Sequence, residues 1–421
     1  MMVKFDRWKA LIPIAFFLYV ILWCFLHLEE GSKVTSKYED DLDSIEQPGE
    51  DVIKHENALW GGSEILHPKH IRSSGGHKRL KAAVVVFLPK NINFVNQFVT
   101  MLYGSWRYVY ENNFDSEMNL VDLVVFAHQT VLDALPGDCK IFYTSSGVPK
   151  DTNQCACWKI EQKNETPSAY KNLNSYVMFL RSDINVILQR YTYALRTDMD
   201  VFLTPKFFKY RPTLRVVTGI GQYCHEFNRG RLKAIAKQHG LKHRGIHCIG
   251  SSWYGYMKDI TKLSIAAYNM SLYLYDYEFK DGLPGLENIN FRISPNGKWP
   301  EWYKLTSTMY GSEIVLNDGV PNFSMQNMQR FDVSTCNPWK ISEHYQLHAY
   351  HTECEFNKKR FLNQLTELAI GTSTNRLSLE HKLRIYERKV VKDIESLNTT
   401  EYSTFIAWRS AAKYLEFRLK I

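Results

Sequence analysis

Two aspartates one residue apart, Asp198 and Asp200, close a mostly apolar run that reads Tyr191-Thr-Tyr-Ala-Leu-Arg-Thr-Asp-Met-Asp-Val-Phe-Leu-Thr-Pro205. Successive side chains of a strand point to opposite faces, so this pair reaches one cation only where the strand ends and the backbone turns. Val201 to Leu203 then return to the core, and Pro205 stops the element. Carboxylates placed this way suit a hard cation that keeps positions open for phosphate oxygens, Mg²⁺ or Mn²⁺. The bland alternative is two strand-end aspartates that cap the next turn. The spacing alone is weak, because roughly one Asp-x-Asp arises by chance in a chain of this length. Context distinguishes it from Asp41-Leu42-Asp43, which has the same spacing in an acidic tract without apolar neighbours and reads as solvated chain.

A second group is His344-Tyr-Gln-Leu-His348-Ala-Tyr-His351-Thr-Glu353. On a helix its three histidines share one face and could form a zinc site, whereas in a strand His348 and His351 point apart. A zinc hydrolase would lack its usual base, since the chain has no His-Glu-x-x-His. Residues 206 to 350 are rich in aromatics, most of which read as core. Trp253 and Tyr254, set among glycines in Gly250-Ser-Ser-Trp-Tyr-Gly255, are the best candidates to stack on a ligand ring such as a sugar.

Leu195-Arg-Thr-Asp-Met-Asp-Val-Phe-Leu-Thr-Pro205 resembles the metal-binding strand end of GT-A glycosyltransferases, nucleotide-sugar enzymes of the Golgi in which Asp-x-Asp holds Mn²⁺ against a sugar-nucleotide diphosphate. More closely, the chain resembles an uncharacterised nucleotide-diphospho-sugar transferase-like set of single-anchor lumenal proteins, over residues 80 to 360. The resemblance implies an α/β, GT-A-like, mainly parallel sheet flanked by helices. It also implies Mn²⁺ (or Mg²⁺), a UDP-sugar donor, a glycan or glycoprotein acceptor, and a hexosyltransferase-like reaction. Asp198 and Asp200 would hold the ion, with Asp198 also facing the donor. Several GT-A families complete the site with a distant downstream histidine, for which His351 is the first choice and His348 the second. Arg196 is placed to help with donor phosphate. Glu313 and Asp318 stand by position alone as candidates for the acid or base near the acceptor hydroxyl.

The elements that must position these residues follow the same logic. Lys81 to Pro89 is a β-branched run suited to a central strand, Phe94 to Tyr110 reads as a helix, and Val121 to Ala127 repeats the strand signal. Lys140 to Thr144 is a possible third strand, and Tyr176 to Leu188 a helix leading into the strand that ends at Asp198. Such alternation argues for a mainly parallel sheet covered on both faces, with ligands at the carboxyl ends of its strands. Residues just after Leu88 and Ala127 should therefore line the nucleotide pocket. From Arg376 the chain reads as helical, with Leu383, Tyr386, Val390, Ile394 and Leu397 on one face, followed by a last helix from Tyr402 to Leu419. These helices should pack on the domain or support a homodimer.

At 421 residues, with 45% hydrophobic and 14% aromatic content, the chain can bury a large core and is not disordered overall. Its net charge of +8 is uneven: residues 1 to 30 balance, residues 31 to 58 carry −5, and the remainder holds +13. A basic globular part suits an anionic substrate, and no basic run or motif favours nucleic acid. Ala10 to Leu28 is uncharged and would span about 28 Å as a helix. It reads as an uncleaved anchor, with basic residues on the cytosolic side and acids beyond, in preference to a cleaved signal peptide. The expected organisation is a cytosolic tail (1–9), a transmembrane anchor (10–28), a stem (29–78), a nucleotide-sugar half (79–205), an acceptor half (206–372) and C-terminal helices (373–421), in a single-pass type II protein of the Golgi membrane.

Seven cysteines lie beyond the anchor. Cys336 with Cys354, Cys224 with Cys248, and Cys139 with Cys155 or Cys157 are the expected pairings. Asn164, Asn269, Asn322 and Asn398 begin glycosylation sequons, at a frequency close to that expected by chance. Two rivals remain. One is a non-catalytic lumenal carbohydrate-binding or scaffold protein that retains the fold. The other is a Golgi sulfotransferase, disfavoured because Leu88-Pro-Lys-Asn-Ile-Asn93 offers no glycine to cradle phosphate.

Overall fold

The structure, a computed structural model, describes residues 79–142, 154–321, 323, 330–350, 352–370 and 376–419. Its elements in order are β1 (Lys81–Leu88), α1 (Ile92–Thr100), α2 (Leu102–Asn112), β2 (Leu120–Ala127), α3 (Gln129–Leu132), β3 (Lys140–Ile141), β4 (Cys157–Glu161), α4 (Asn174–Leu180), α5 (Ser182–Leu188), β5 (Tyr193–Arg196), β6 (Val201–Leu203), α6 (Pro205–Lys209), β7 (Val216–Ile220), α7 (Glu226–Gln238), β8 (Ile249–Tyr256), α8 (Met257–Tyr277), α9 (Ser307–Gly319), β9 (Val333–Ser334), β10 (Gln346–His348), α10 (Lys358–Ile370), α11 (Arg376–Arg388) and α12 (Thr399–Leu419).

The Ala-Ala-Val-Val-Val core of β1 is buried on both faces, and β1 lies at the middle of a seven-stranded sheet of order β3-β4-β2-β1-β5-β8-β7. The pairs β1–β2, β1–β5, β2–β4 and β3–β4 are parallel, while β8 runs antiparallel to β5 and β7. The expectation of a mostly parallel α/β sheet holds. Ala82, Val84, Val86 and Leu88 face a core shared with α1, α2 and α12, and Ala83 and Val85 face one shared with α4, α8 and α9. The last helix thus packs on the domain, with Tyr402 donating to Leu203 O at 2.6 Å.

Two helices read as continuous are each broken in two. Thr100 Oγ1 donates back to Asn96 O at 2.6 Å, a bond that bends helices, and the chain kinks at Met101. Arg181 is extended between α4 and α5, and its guanidinium donates to Glu161 O at 2.8 Å. The helical reading from Arg376 also overshoots. α11 ends at Arg388, and Val390 is 83% exposed rather than on a buried stripe.

The membrane-spanning part of the expected fold is corrected. Among the described residues no helix is long and apolar enough to cross a membrane. The tail, anchor and stem expected over 1–9, 10–28 and 29–78 lie outside the described residues. The single-pass Golgi-membrane placement, which rested on that anchor, has no support. The disulfides are Cys139–Cys157, Cys224–Cys248 and Cys336–Cys354, matching the expected pairings and leaving Cys155 as a buried thiol. Three such bridges are characteristic of chains that fold in an oxidising compartment.

Candidate metal centre

β1 is followed by β2 on one side in the sheet and flanked by β5 on the other, so the carboxyl ends of β1 and β5 form a topological switch point, where open α/β sheets bind ligands. Thr197 N donates to Val85 O at 3.2 Å, and the chain then bends through Asp198, Met199 and Asp200 before β6 enters a second, three-stranded sheet. In that sheet β10 pairs antiparallel with β6, with Val201 opposite His348, and Ala349 N donates to Asp200 O at 2.9 Å. This register sets the His348 ring beside the Asp200 carboxylate. Asp198, Asp200 and His348 each offer a ligand atom, and the three atoms lie within 4.8 Å of one another.

The histidine is held from three sides. Its Nδ1 lies 3.1 Å from Asp332 Oδ1, its Nε2 3.4 Å from Asp200 Oδ1, and Tyr350 stacks on its face at 4.4 Å. Tyr350 in turn donates to Ile220 O and Asp332 O. Burial alone would lower the His348 pKa, but Asp200 and Asp332 push it up to about 10. Asp332 sits at φ +52, just before β9, which is parallel to β10. Its Oδ1 accepts from Ser252 Oγ at 2.6 Å and its Oδ2 from Ser252 N at 2.9 Å. The carboxylate lies directly on the backbone of β7 and β8, since a Cβ at Gly219 or Gly250 would fall 2.0 or 2.3 Å from Oδ2.

Asp200 is nearly buried and also takes the Lys358 ammonium, from the start of α10, on Oδ2. Burial would raise its pKa; His348 and Lys358 overcome that and hold the carboxyl well below the ordinary range. Asp198 is half-buried and has no hydrogen-bond or ion-pair partner among the described residues. These groups fit a divalent cation on two grounds. A histidine whose Nδ1–H meets a carboxylate presents Nε2 as a ligand, the usual outer-shell arrangement behind metal-bound imidazole. With His348 protonated, three aspartates against two cations leave a charge of −1, which becomes −2 when a bound cation displaces the Nε2 proton. Lys358 uses only Oδ2, so Oδ1 keeps its lone pairs for an ion.

Other expected residues are dispersed. His351 lies outside the described residues, and His348, the second choice, is the histidine at the site. His344 is buried against Trp339, and residues 346–348 are strand, so the helical three-histidine zinc face does not form. Arg196 is buried between the faces of Tyr176 and Trp253, at 4.3 and 5.4 Å, and donates to Ser251 O and Ser175 Oγ. Its Nε has no hydrogen-bond partner, and no acid among the described residues pairs with it.

Trp253 and Tyr254 are 0% and 1% exposed and belong to the cores on opposite faces of the sheet. The stacking role is corrected, because neither ring has a free face. Asp318 accepts from Lys242 N, and the wholly buried Glu313 is held by His243, His247, Tyr223 and Cys248 N, so neither joins Asp198 and Asp200. Asn164 and Asn269 are exposed, Asn398 caps α12 through Glu401 N, and Asn322 lies outside the described residues. A hollow of about 210 Å³ lined by Lys90, Asn91, Ile92, Thr130, Val131 and Ala134 lies just past β1 and β2, where the nucleotide pocket was expected.

Sequence reasoning missed Asp332, Lys358, Tyr350, and the two histidines, His243 and His247, that lie against Glu313. The spacing of the two histidines was a readable signal, but the acids that hold them are distant in the chain.

No curated protein matches the chain. A solved structure described as the apo form of a WbbM bifunctional glycosyltransferase is similar over 73% of this chain and 52% of its own, with 8% identity and a TM-score of 0.35. The chain therefore spans about half the length of that structure. A family profile described as a domain of unknown function, DUF7164, matches residues 76–420, and the chain belongs to that family.

Proposed function

We propose that the chain is a metal-dependent glycosyltransferase that moves a sugar from a nucleotide-sugar donor, a UDP-sugar in the first instance, to a glycan or glycoprotein acceptor. One observation carries this reading. Asp198, Asp200 and His348 converge at the carboxyl ends of a mostly parallel sheet, with Asp332 behind the histidine. These three would hold Mn²⁺ or Mg²⁺. Such an ion stabilises negative charge on a leaving diphosphate. Asp332 fixes the His348 ring, Lys358 orients the Asp200 carboxylate, and Asp198 is the ligand left open toward the donor. Arg196 supports donor phosphate only if its unbonded Nε turns to the site. The hollow beside β1 and β2 lies below the roughly 300 Å³ of typical ligand pockets, and so suits a base or ribose rather than a whole nucleotide sugar.

Calorimetric titration of the full chain with UDP, with Mn²⁺ and with chelator, tests the proposal. UDP should bind only with Mn²⁺, and Asp198→Ala should weaken that binding at least about tenfold. Metal-independent binding would identify Lys358 as the working cation. Binding of a glycan without any response to UDP would favour a non-catalytic carbohydrate-binding protein.

A further inference from the structure

The group left unused by the metal centre is a buried acid with two histidines. Glu313, on α9, is 0% exposed and has no lysine or arginine partner among the described residues. Its Oε2 accepts from Tyr223 OH and Cys248 N, both at 2.8 Å. Its Oε1 lies 2.6 Å from His247 Nδ1 and 3.3 Å from His243 Nε2. Burial would raise the Glu313 pKa; His243 and His247 overcome that and hold it below the ordinary carboxylate value.

These contacts constrain the Nδ1 atom of each ring. His243 Nδ1 accepts from Gly245 N at 3.1 Å, so in the neutral ring its proton is on Nε2, which lies 3.3 Å from Glu313 Oε1 without hydrogen-bond geometry. A carboxylate can only accept, so His247 presents Nδ1–H to it, and in the neutral ring the lone pair is on Nε2. The His247 side chain is 11% exposed against 3% for His243, and no described residue takes its Nε2.

Two histidines and a glutamate are also a zinc ligand set. Two features argue against an ion here. His243 Nε2 already carries a proton, and 2.6 Å between His247 and Glu313 is a hydrogen bond, shorter than the roughly 3.3 Å between neighbouring ligands of a tetrahedral ion.

We propose that His247 is a proton acceptor, oriented by Glu313, and that it deprotonates the acceptor hydroxyl in the transferase reaction; this second part rests on the function proposed above. As the hydroxyl oxygen bonds to the sugar's anomeric carbon, its proton passes to His247 Nε2. The carbon–oxygen bond to the diphosphate breaks, and its electron pair leaves with the phosphate. Glu313 stabilises the imidazolium that forms, as a buried carboxylate does behind a catalytic histidine.

Placement supports the role. Cys248 lies just before β8 and Ser252 within it, so both histidine–acid pairs sit at the end of β8 beside the carboxyl end of β5, the Glu313 pair on the face that carries Trp253 and the Asp332 pair on the face that carries Tyr254. The two backbone N–H donors, Cys248 and Ser252, are four residues apart, at most about 13 Å. An ion, a bound phosphate, the sugar carbon, the attacking oxygen and its base span a similar distance, on the order of 10 Å. Cys248 at φ +67 and Asp332 at φ +52 are the non-glycine residues with positive φ among the described residues, and each serves one of the two acids or histidines. Backbone held in such sparsely populated regions concentrates at functional sites.

The experiment has two parts on the full chain. Imidazole nitrogen NMR with selectively labelled histidine, assigned through His247→Asn, should show His247 as the Nδ1–H tautomer, the less common form in free histidine. Glu313→Gln should reverse it. Tyr223 and Cys248 require an oxygen at one end of the amide, which turns NH₂ toward His247 Nδ1. An Nε2–H tautomer in the wild type, or metal retained stoichiometrically by the wild type and lost in His247→Asn, overturns the proposal.

In the second part, nucleotide release from UDP-sugars with acceptor should fall about 10²-fold or more in kcat for both variants, with KM for donor unchanged. UDP with Mn²⁺ binding neither the wild type nor the variants overturns the transferase reading and the use of His247 in it. UDP binding both, with transfer unchanged in His247→Asn, overturns the base alone.

Discussion

Replacing Asp332 by asparagine probes the metal centre without touching a proposed ligand. The two side chains have one shape, and asparagine tolerates the left-handed backbone at φ +52 as well as aspartate does, so the backbone need not move. What changes is one oxygen. Oδ2 accepts the buried Ser252 N–H at 2.9 Å, and an NH₂ there would set donor against donor at about 1–3 kcal/mol. The amide therefore turns its oxygen to Ser252 N and its NH₂ to His348 Nδ1. His348 must then accept at Nδ1 and carry its proton on Nε2, the atom that faces Asp200. Loss of an outer-shell partner of this kind lowers metal affinity by about 10–100-fold, or about 1.4–2.7 kcal/mol. Calorimetric titration of Mn²⁺ into wild type and Asp332→Asn, with a thermal melt to show that both are folded, measures it. Equal affinity in a folded variant would refute the claim that Asp332 fixes the ligand state of His348, and a wild type that binds no Mn²⁺ would refute the centre itself.

The two aspartates should separate in stability. Asp200→Ala leaves Lys358 buried without its partner and should cost about 3–5 kcal/mol in a denaturant melt, whereas Asp198→Ala, half-buried and unpartnered, should cost under about 1 kcal/mol. Equal costs would show that the Lys358–Asp200 pair does not stabilise the fold. Cys155 is buried, and desolvation pushes its thiol up to about 12, so iodoacetamide should label it only after unfolding, as peptide mass spectrometry would show. Labelling of the native chain at pH 8 would contradict the packing around β2.

The sheet was legible because its strands are locally marked. The β-branched run of β1, the alternation with helices and the Pro205 stop are properties of neighbouring residues, and the tertiary structure agrees with each of them. Helix breaks at Met101 and Arg181 were not legible, since they depend on one threonine bonding its own helix and one arginine reaching a strand 20 residues away. Trp253 and Tyr254 were misread for a related reason. Their glycine neighbours do mark close approach, but what approaches Gly250 is the Asp332 carboxylate, not a sugar.

The two histidine sites show where sequence stops carrying the chemistry. β8 and the residues before it supply one backbone N–H to each of two buried acids, Cys248 N to Glu313 and Ser252 N to Asp332. Each acid takes the Nδ1 of one histidine, His247 or His348, and so aims that ring's Nε2. The acids lie 66 and 16 residues from their histidines, so no local motif joins them. Asp198-Met-Asp200 could be found because both carboxylates lie on one turn. The proton state of the histidine that completes it depends on which backbone groups β8 leaves for the acids, and that follows from the pairing of β8 with β5 and β7, not from any residue adjacent in the chain.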